Sequence, residues 1–355
     1  MQAASAVEHS VADLIARFLV SQGVKRVYGL CGGHIMPIWM RLDAHGIRLV
    51  DVRDERAAVY MAHAEAELTN GLGVALVTAG PGVTNAITGI ANAHVARASV
   101  LVLSGTSPTA QDNRGGLQDL NHTEMVSGIT RYARSVRHPA LVLQELNEAV
   151  SRALGHGADS GPVYLDFPVD TLRSRVAQAV QLPEFFLQHE APISSPSPQS
   201  VKAAVDLLWN AKRPLFISGR GARKAGPALQ QLLSLLGAVY LDTGESKGLV
   251  PEDHPSVVAA MRGQVMGQAD VVITLGRKLD FQLAYGSPAV FGDAQFLRLA
   301  DNAAELRDNR RGAVELLADV NQSLLAIIEA GKGRQAATDK AWAAGLREQH
   351  LARAD

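Results

Sequence analysis

The sequence predicts an α/β fold of two domains, each a mostly parallel sheet flanked by helices. Short apolar runs rich in Val, Leu and Ile alternate with stretches long enough for crossover helices, before and after a Pro/Ser-rich segment. The 355 residues suffice for about two domains of ordinary size. We therefore expect a first domain at 1–175, a linker at 176–199, a central domain at 200–335 and a C-terminal helix or tail at 336–355.

The first domain opens with an amphipathic helix at 11–20, where Asp13 and Arg17 interrupt the apolar residues. Its strands show little polar alternation, which is typical of strands covered on both faces. Strands are predicted at 26–30, 48–52, 73–79, 99–104, 131–136 and 163–167. Crossover helices are predicted at 55–68 and 85–98.

The second domain repeats the alternation after the linker, which has Pro and Ser without periodicity. Its strands are predicted at 213–218, 238–242, 270–275 and 295–299, and its helices at 226–236 and 319–330. The segment 338–355 is interpreted as a helix or a disordered end. Trp342, Leu346 and Leu351 could give it an apolar stripe for docking a partner, with a frayed terminal helix as the alternative.

Composition excludes several classes of function. The formal net charge of −1 does not suggest a nucleic-acid or anionic-membrane partner. Cys31 is the single cysteine, so no internal disulfide can form and a reducing compartment fits. No apolar run approaches the ~20 residues that a membrane span needs. We therefore expect a cytoplasmic protein.

Candidate functional residues follow the first two strands at their carboxyl ends, where ligands bind in open parallel sheets. Gly32, Gly33 and His34 come directly after the first strand, and Glu55 starts the helix after the second. Each has an ordinary structural explanation when taken alone. Paired glycines form a tight turn, and the helix dipole favours an acidic residue at a helix start.

A third segment, Thr-Ala-Gly-Pro-Gly-Val-Thr-Asn at 78–85, lies between the third strand and its helix. Pro81 fixes the turn between Gly80 and Gly82, and a helix N-terminus with free N–H groups follows. Taken alone this is a weak phosphate-loop pattern, because the lysine of a P-loop is absent.

Together these segments resemble the pyrimidine-binding domain of the thiamine-diphosphate enzymes that include acetohydroxyacid synthase, oxalyl-CoA decarboxylase and benzaldehyde lyase. The second domain resembles their central domain. The likeness reaches to about residue 330. The matching motifs lie at 28–34, 54–58, 80–85 and 160–168 in the first domain, and at 215–221, 247–255 and 269–276 in the second.

The resemblance implies a proton-transfer role for Glu55. The glutamate at this position in the family shares a proton with N1′ of the aminopyrimidine and so activates the cofactor, which carries the difficult chemistry. Desolvation against a flat heterocycle helps a carboxyl to hold that proton near neutral pH. The cofactor-binding residues implied by the motifs are Glu55, Gly32, Gly33, Thr78, Gly80, Pro81, Gly82 and Asn85.

Two further residues are candidates for substrate chemistry. His34 falls where benzaldehyde lyase has a histidine, and a neutral imidazole there could relay protons to a substrate carbonyl or hydroxyl. Gln118 matches an active-site glutamine of the same enzymes and could hydrogen-bond a developing alkoxide. The alternative for Gln118 is an exposed loop residue, and His122 is interpreted as an ordinary loop histidine.

The family usually has a third domain that holds the diphosphate through Mg²⁺, with a Gly-Asp-Gly motif followed by Asn-Asn. In this sequence Gly292-Asp293-Ala294 breaks the motif, so no metal ligand is assigned. We expect a separate diphosphate-binding subunit to supply the Mg²⁺ site and to share thiamine diphosphate with this chain, which would self-associate as a dimer within a hetero-oligomer. A truncated chain is the alternative.

The central domain of the relatives binds FAD, binds ADP, or serves as a spacer. The segment 219–226 follows a strand but does not match the dinucleotide fingerprint. Arg220, Arg223 and Lys224 could meet a nucleotide phosphate. A solvated basic loop is the interpretation that we favour.

The sequence thus predicts a subunit of a lyase or carboligase that makes or breaks a carbon–carbon bond next to a carbonyl. Its substrate would be a 2-keto acid, an acyloin or a 2-hydroxyacyl compound, with acetolactate-synthase-like chemistry included. His34 and Gln118 favour this over simple 2-keto acid decarboxylation. A non-catalytic regulatory or scaffold subunit is a further alternative, against which Glu55 argues. A nucleotide-binding module would explain none of the first-domain motifs.

Overall fold

The protein divides into two compact units, Met1–Ala191 and Pro192–Asp355. The structure is a computed structural model that describes residues 9–112, 114–156, 159–176 and 193–354. Within these residues, no helix is long and apolar enough to cross a membrane. Both units contain a parallel sheet flanked by helices, so the predicted fold class is confirmed.

The first unit contains a parallel sheet and seven α-helices within its described residues. Its strands are β1 His9–Ser10, β2 Arg26–Gly29, β3 Arg48–Asp51, β4 Gly73–Val77, β5 Val100–Thr106, β6 Tyr132–Ser135, β7 Val163–Pro168 and β8 Arg175–Val176. Its helices are α1 Val11–Ser21, α2 Met36–Leu42, α3 Glu55–Thr69, α4 Pro81–Ala96, α5 His122–Val126, α6 Val142–Leu154 and α7 Val169–Arg173.

The main sheet of this unit has the strand order β3-β2-β4-β5-β7-β6, and all of its strands are parallel. All six predicted strands are present, each within two residues of its predicted ends. Strand β2 pairs with β3 on one side and β4 on the other, so the chain reverses its direction of winding there. In open parallel sheets such a switch point forms a crevice at the carboxyl ends of the strands.

Helix α4 starts four residues earlier than predicted, at Pro81 rather than Asn85. Proline suits the first turn of a helix, since its fixed φ is helical and its missing N–H would have no partner there. Gly80 precedes it with φ 61° and ψ −114°, a conformation that side chains disfavour. The turn before α4 is therefore tighter than the sequence pattern indicated.

The start of β4 packs directly against α3. A Cβ atom added to Gly73 would lie 1.8 Å from the carbonyl oxygen of Ala62 and 2.6 Å from its carbonyl carbon. Both contacts are with backbone, which cannot move aside as a flexible side chain could. The sheet and α3 can approach this closely only with glycine at position 73.

Gly73→Ala is expected to lower the free energy of unfolding of the first unit by about 3 kcal/mol or more, because overpacking against backbone forces the helix away from the sheet. Gly128→Ala is the matched control, since a Cβ atom there meets nothing within 4 Å. Urea titrations of both variants check the prediction. Equal stabilities would contradict it.

The second unit contains strands β9 Pro214–Ser218, β10 Val239–Leu241, β11 Val271–Leu275, β12 Gln295–Ala300 and β13 Val314–Leu317. Its helices are α8 Pro198–Asn210, α9 Gly226–Leu236, α10 Arg262–Gln268, α11 Pro288–Phe291, α12 Ala303–Leu306, α13 Val320–Ala330 and α14 Lys340–Ala354. The sheet order is β10-β9-β11-β12-β13, with all strands parallel.

Strand β13 and the helices α8, α10, α11 and α12 of this unit were not predicted from the sequence. Strand β13 is short and half-buried, which leaves little apolar pattern to detect. Helix α8 begins inside the predicted linker, because Ser197 caps it by accepting a hydrogen bond from the Ser200 N–H and Pro198 occupies its first position. Most of the predicted linker, 177–192, lies outside the described residues.

The C-terminal segment is a helix, α14, that packs on the second unit itself. Leu346 is 2% exposed, and the indole Nε1 of Trp342 donates a hydrogen bond to Gln268 Oε1 at 2.9 Å. The predicted partner-docking role is therefore wrong for Trp342 and Leu346, which complete a core of this unit. Leu351 remains half-exposed.

Candidate active site

The predicted site residues of the first unit gather at the carboxyl edge of its sheet, around the switch point between β2 and β4. A Cβ atom on Gly32 would lie 2.4 Å from both Cβ and Oγ1 of Thr78, so the turn after β2 and the turn after β4 touch through glycine. Gly33 has open space beside it. The Thr78 hydroxyl is buried and has no hydrogen-bond partner.

Glu55 is the first residue of α3 and is buried, with 9% of its surface exposed. Asp54 caps the helix by accepting a hydrogen bond from the Arg56 N–H at 2.8 Å. The Arg56 guanidinium lowers the pKa of Asp54 to about 2, so this neighbouring carboxylate stays ionised. Glu55 is therefore the buried carboxyl of the pair, and Asp54 is the structural one.

The amide of Asn85 joins α4 to Glu55. Its Nδ2 donates to Glu55 Oε2 at 2.6 Å, and a Cβ atom on Gly82 would stand 3.4 Å from Glu55 Oε1. The start of α4 thus encloses the carboxyl from one side, and a Cβ atom at position 82 would also stand 2.9 Å from Thr78 Cγ2, so the packing there favours glycine. The structure brings three of the predicted cofactor-binding residues together here: Glu55, Gly82 and Asn85.

Gln118 lies against the same turn from the other side. A Cβ atom on Gly80 would be 2.7 Å from Gln118 Cβ and 3.1 Å from its carbonyl oxygen. Gln118 is half-buried and has φ 58°, a left-handed conformation that costs a non-glycine residue free energy. The alternative of an exposed loop residue therefore does not describe its surroundings.

The loop that carries Gln118 is tied to the sheet at both ends. Ser107 Oγ donates to the Leu117 carbonyl at 3.0 Å, and the Thr109 N–H donates to the Asp170 carboxylate at 3.1 Å. Arg137 forms an ion pair with Asp112 in the same loop. These contacts hold the segment in place although it has little regular secondary structure.

His34 lies just beyond β2 and is 7% exposed. A Cβ atom on Gly105 would be 2.2 Å from the carbonyl oxygen of His34, so β5 packs closely against the backbone of His34. Burial lowers the pKa of His34, and the nearby His122 lowers it further. Interactions with the Gln118 side chain and the Leu117 backbone partly oppose this shift. Its Nδ1 atom is buried without a hydrogen-bond partner.

His122 is not the ordinary loop histidine that the sequence suggested. It starts α5, is 2% exposed, and accepts a hydrogen bond from the Gly80 N–H at 2.8 Å through Nε2. Its Nδ1 lies 3.4 Å from Asp166 Oδ2 in β7. No sequence signal links these positions, because 42 residues separate His122 from Gly80.

The residues present fit a bound aminopyrimidine. A heterocycle with donor and acceptor nitrogens can pair with a buried carboxyl and an unpartnered hydroxyl, and Glu55 and Thr78 supply them. Gly33 leaves the turn after β2 open on its side, since no atom lies within 4 Å of the position of a Cβ atom there. Among the described residues, no group of three or more His, Cys, Asp or Glu could hold a metal ion.

The glycines of the second unit's 219–226 segment have a packing explanation. A Cβ atom on Gly219 would meet the Gly276 carbonyl oxygen at 2.5 Å. Arg220 Nη1 lies 3.9 Å from the Glu245 carboxylate, and Arg223 Nε donates to the Glu245 carbonyl at 2.8 Å. Arg220 and Arg223 of this basic loop are therefore engaged within the unit, and binding of FAD or ADP stays a prediction.

Two parallel α/β units, the first with a buried carboxyl at its switch point, have the arrangement expected of the first two domains of the thiamine-diphosphate class. Residues 9–125 match the family described as the thiamine pyrophosphate enzyme N-terminal TPP-binding domain, and residues 201–327 match its central domain. The chain belongs to the thiamine pyrophosphate enzyme family.

Curated relatives carry two kinds of name. The 2-hydroxyacyl-CoA lyase 2 of Caenorhabditis elegans is 30% identical over a match that covers 95% of this chain and 58% of the relative. The 2-hydroxyacyl-CoA lyase 2 of Mus musculus is 34% identical, with 77% of this chain and 48% of the relative covered. An acetolactate synthase large subunit of Mycobacterium tuberculosis is 32% identical, with 90% of this chain and 58% of the relative covered. The chain thus spans about half to three-fifths of the length of these relatives.

Proposed function

We propose that this chain is the pyrimidine-binding and central part of a thiamine-diphosphate lyase or carboligase that acts on 2-hydroxyacyl compounds, acyloins or 2-keto acids. It would act with a separate subunit that binds the diphosphate and Mg²⁺, in a cytoplasmic hetero-oligomer in which this chain self-associates. The lyase and synthase names of the relatives support the reaction class. The proposed partner follows from the resemblance, which assigns the diphosphate to a third domain.

One observation carries the proposal. A single turn links two buried proton-handling side chains: Gly82 contacts Glu55 directly, and Gly80 contacts Gln118, which in turn interacts with His34. A carboxyl and a neutral imidazole at one edge of a sheet are suited to acid–base work on a cofactor and on a substrate respectively. A scaffold subunit would not need either group.

The roles of the residues follow from their contacts. Bound thiamine diphosphate supplies a carbanion equivalent that attacks a substrate carbonyl. Glu55 would hold a proton at the aminopyrimidine, and the Asn85 amide would orient its carboxyl. His34, neutral because its pKa is lowered, would accept the proton of a substrate hydroxyl. The Gln118 amide would donate to the substrate oxygen.

The test combines the purified chain, thiamine diphosphate and Mg²⁺ with a candidate diphosphate-binding chain, sought first among the products of neighbouring genes. A 2-hydroxyacyl thioester, a benzoin-type acyloin and pyruvate are supplied in turn, and aldehyde, acyl product and CO₂ are measured. We expect turnover by the mixture and none by either chain alone. Cleavage of the thioester or the acyloin without CO₂ would identify a lyase.

Other outcomes decide between the alternatives. CO₂ release from pyruvate without acyloin formation would indicate a simple decarboxylase. Assembly with the partner but no turnover of any substrate would favour the regulatory or scaffold subunit. Turnover by this chain alone would contradict the requirement for a partner.

A further inference from the structure

His122 has a hydrogen-bond environment that selects one form of its ring. The Gly80 N–H donates to Nε2, so this nitrogen must offer a lone pair. A ring proton then belongs on Nδ1, which lies 3.4 Å from Asp166 Oδ2 without hydrogen-bond geometry. Protonating Nε2 would place two donors against each other and leave the buried Gly80 N–H without an acceptor.

Asp166 is itself held by the sheet. It lies in β7, is 2% exposed, and accepts a hydrogen bond from the Tyr164 hydroxyl at 3.1 Å. Tyr164 is fully buried on the same strand. Because Asp166 lies on a strand inside the main sheet, its carboxylate does not move with the loops around His122. The ring therefore connects the Gly80 turn to the rigid part of the unit.

The Gly80 peptide matters because two clusters of the site share it. On one side it abuts Gln118, whose side chain interacts with His34. Two residues further on, Gly82 adjoins the Glu55 carboxyl. Glycine adopts the φ of 61° found at Gly80 without strain, so the backbone conformation alone does not fix the turn. The Gly80 N–H is held by its hydrogen bond to His122.

We propose that His122 is a positioning residue: its Nε2 anchors the Gly80 N–H, this contact selects the Nδ1–H tautomer beside the Asp166 carboxylate, and the anchored turn fixes Glu55 relative to His34. Its kinetic consequence rests on the proposed function, whereas the tautomer and the anchoring hydrogen bond do not. Neither the family matches nor the sequence motifs pointed to this residue.

The first test uses the full chain by itself. ¹⁵N NMR of the imidazole nitrogens is expected to show His122 protonated at Nδ1, and hydrogen exchange is expected to show the Gly80 amide protected. A ring protonated at Nε2, or a Gly80 amide that exchanges as fast as an exposed one, would overturn the proposal.

Two substitutions of His122 test the Nε2 and Nδ1 positions of its ring separately. Glutamine can place its amide oxygen near the position of Nε2 and accept from Gly80, whereas asparagine is one bond shorter and reaches only the position of Nδ1. His122→Gln should therefore keep the Gly80 amide protected, and His122→Asn should lose that protection. Circular dichroism confirms that both variants are folded before they are compared.

In the assembled enzyme, His122→Asn is expected to lower kcat roughly 10²-fold with a smaller change in KM, the scale of loss for a misplaced catalytic group. His122→Gln should retain most of kcat. Equal losses in the two variants would overturn the positioning role and indicate packing or proton transfer by His122. If the assembled enzyme has no activity at all, the proposed function fails, and the NMR and exchange results still decide the role of His122.

Discussion

Replacing Glu55 with glutamine is expected to lower kcat of the assembled enzyme by at least about tenfold, and by as much as ~10²–10⁴ if its proton transfer limits turnover. Glutamine has nearly the same shape, and its amide oxygen can still accept the hydrogen bond from Asn85. It cannot exchange a proton. Steady-state kinetics at saturating thiamine diphosphate measure this effect separately from cofactor binding.

The same substitution should leave the fold and assembly intact, because the Asn85 hydrogen bond at 2.6 Å is retained. Glu148→Gln is the matched control on α6, where the carboxylate is 46% exposed and pairs with Arg152. It should change neither kcat nor the unfolding temperature appreciably. An unchanged rate for Glu55→Gln would remove Glu55 from the mechanism.

The sheet and part of the site could be predicted from the sequence because their signals are local. Apolar runs of four to seven residues mark the strands of the main sheet, and the positions of Gly32, Glu55 and Gly80 follow from where those strands end. Since parallel strands bring their carboxyl ends to one edge, proximity of these residues was expected.

The features that the sequence did not predict depend on contacts between segments that are distant in the chain. The Gly80–His122 hydrogen bond and the proximity of His122 to Asp166 join the turn after β4, the start of α5 and strand β7, and no spacing in the sequence encodes them. The left-handed φ of Gln118 is likewise set by the anchored loop around it and not by its own propensity. Trp342 was assigned to a partner surface because an apolar stripe does not reveal which surface it covers.

The second large effect concerns His34. His34→Gln is expected to lower kcat/KM by roughly 10²-fold or more, because glutamine can hydrogen-bond a substrate hydroxyl but cannot take its proton. The wild-type enzyme should lose activity on the acidic side only below the ordinary histidine value near 6.5, since burial lowers the pKa of His34. The pH profile of the variant should lack this acidic limb.

Stability gives an independent check on His34 that needs no partner chain. Because its folded-state pKa lies below 6.5, the unfolded chain binds more protons between these two values, and the free energy of unfolding rises with pH across that window. His34 therefore destabilises the fold as pH falls through 6.5 towards the lowered pKa.

His34→Gln should flatten this pH dependence of the free energy of unfolding in urea titrations between about pH 5 and 8. His156→Gln, on an exposed loop after α6, should leave it as it is. An equally steep dependence in both variants would mean that His34 is not held neutral by the fold, and its assignment as a proton acceptor would fail with it.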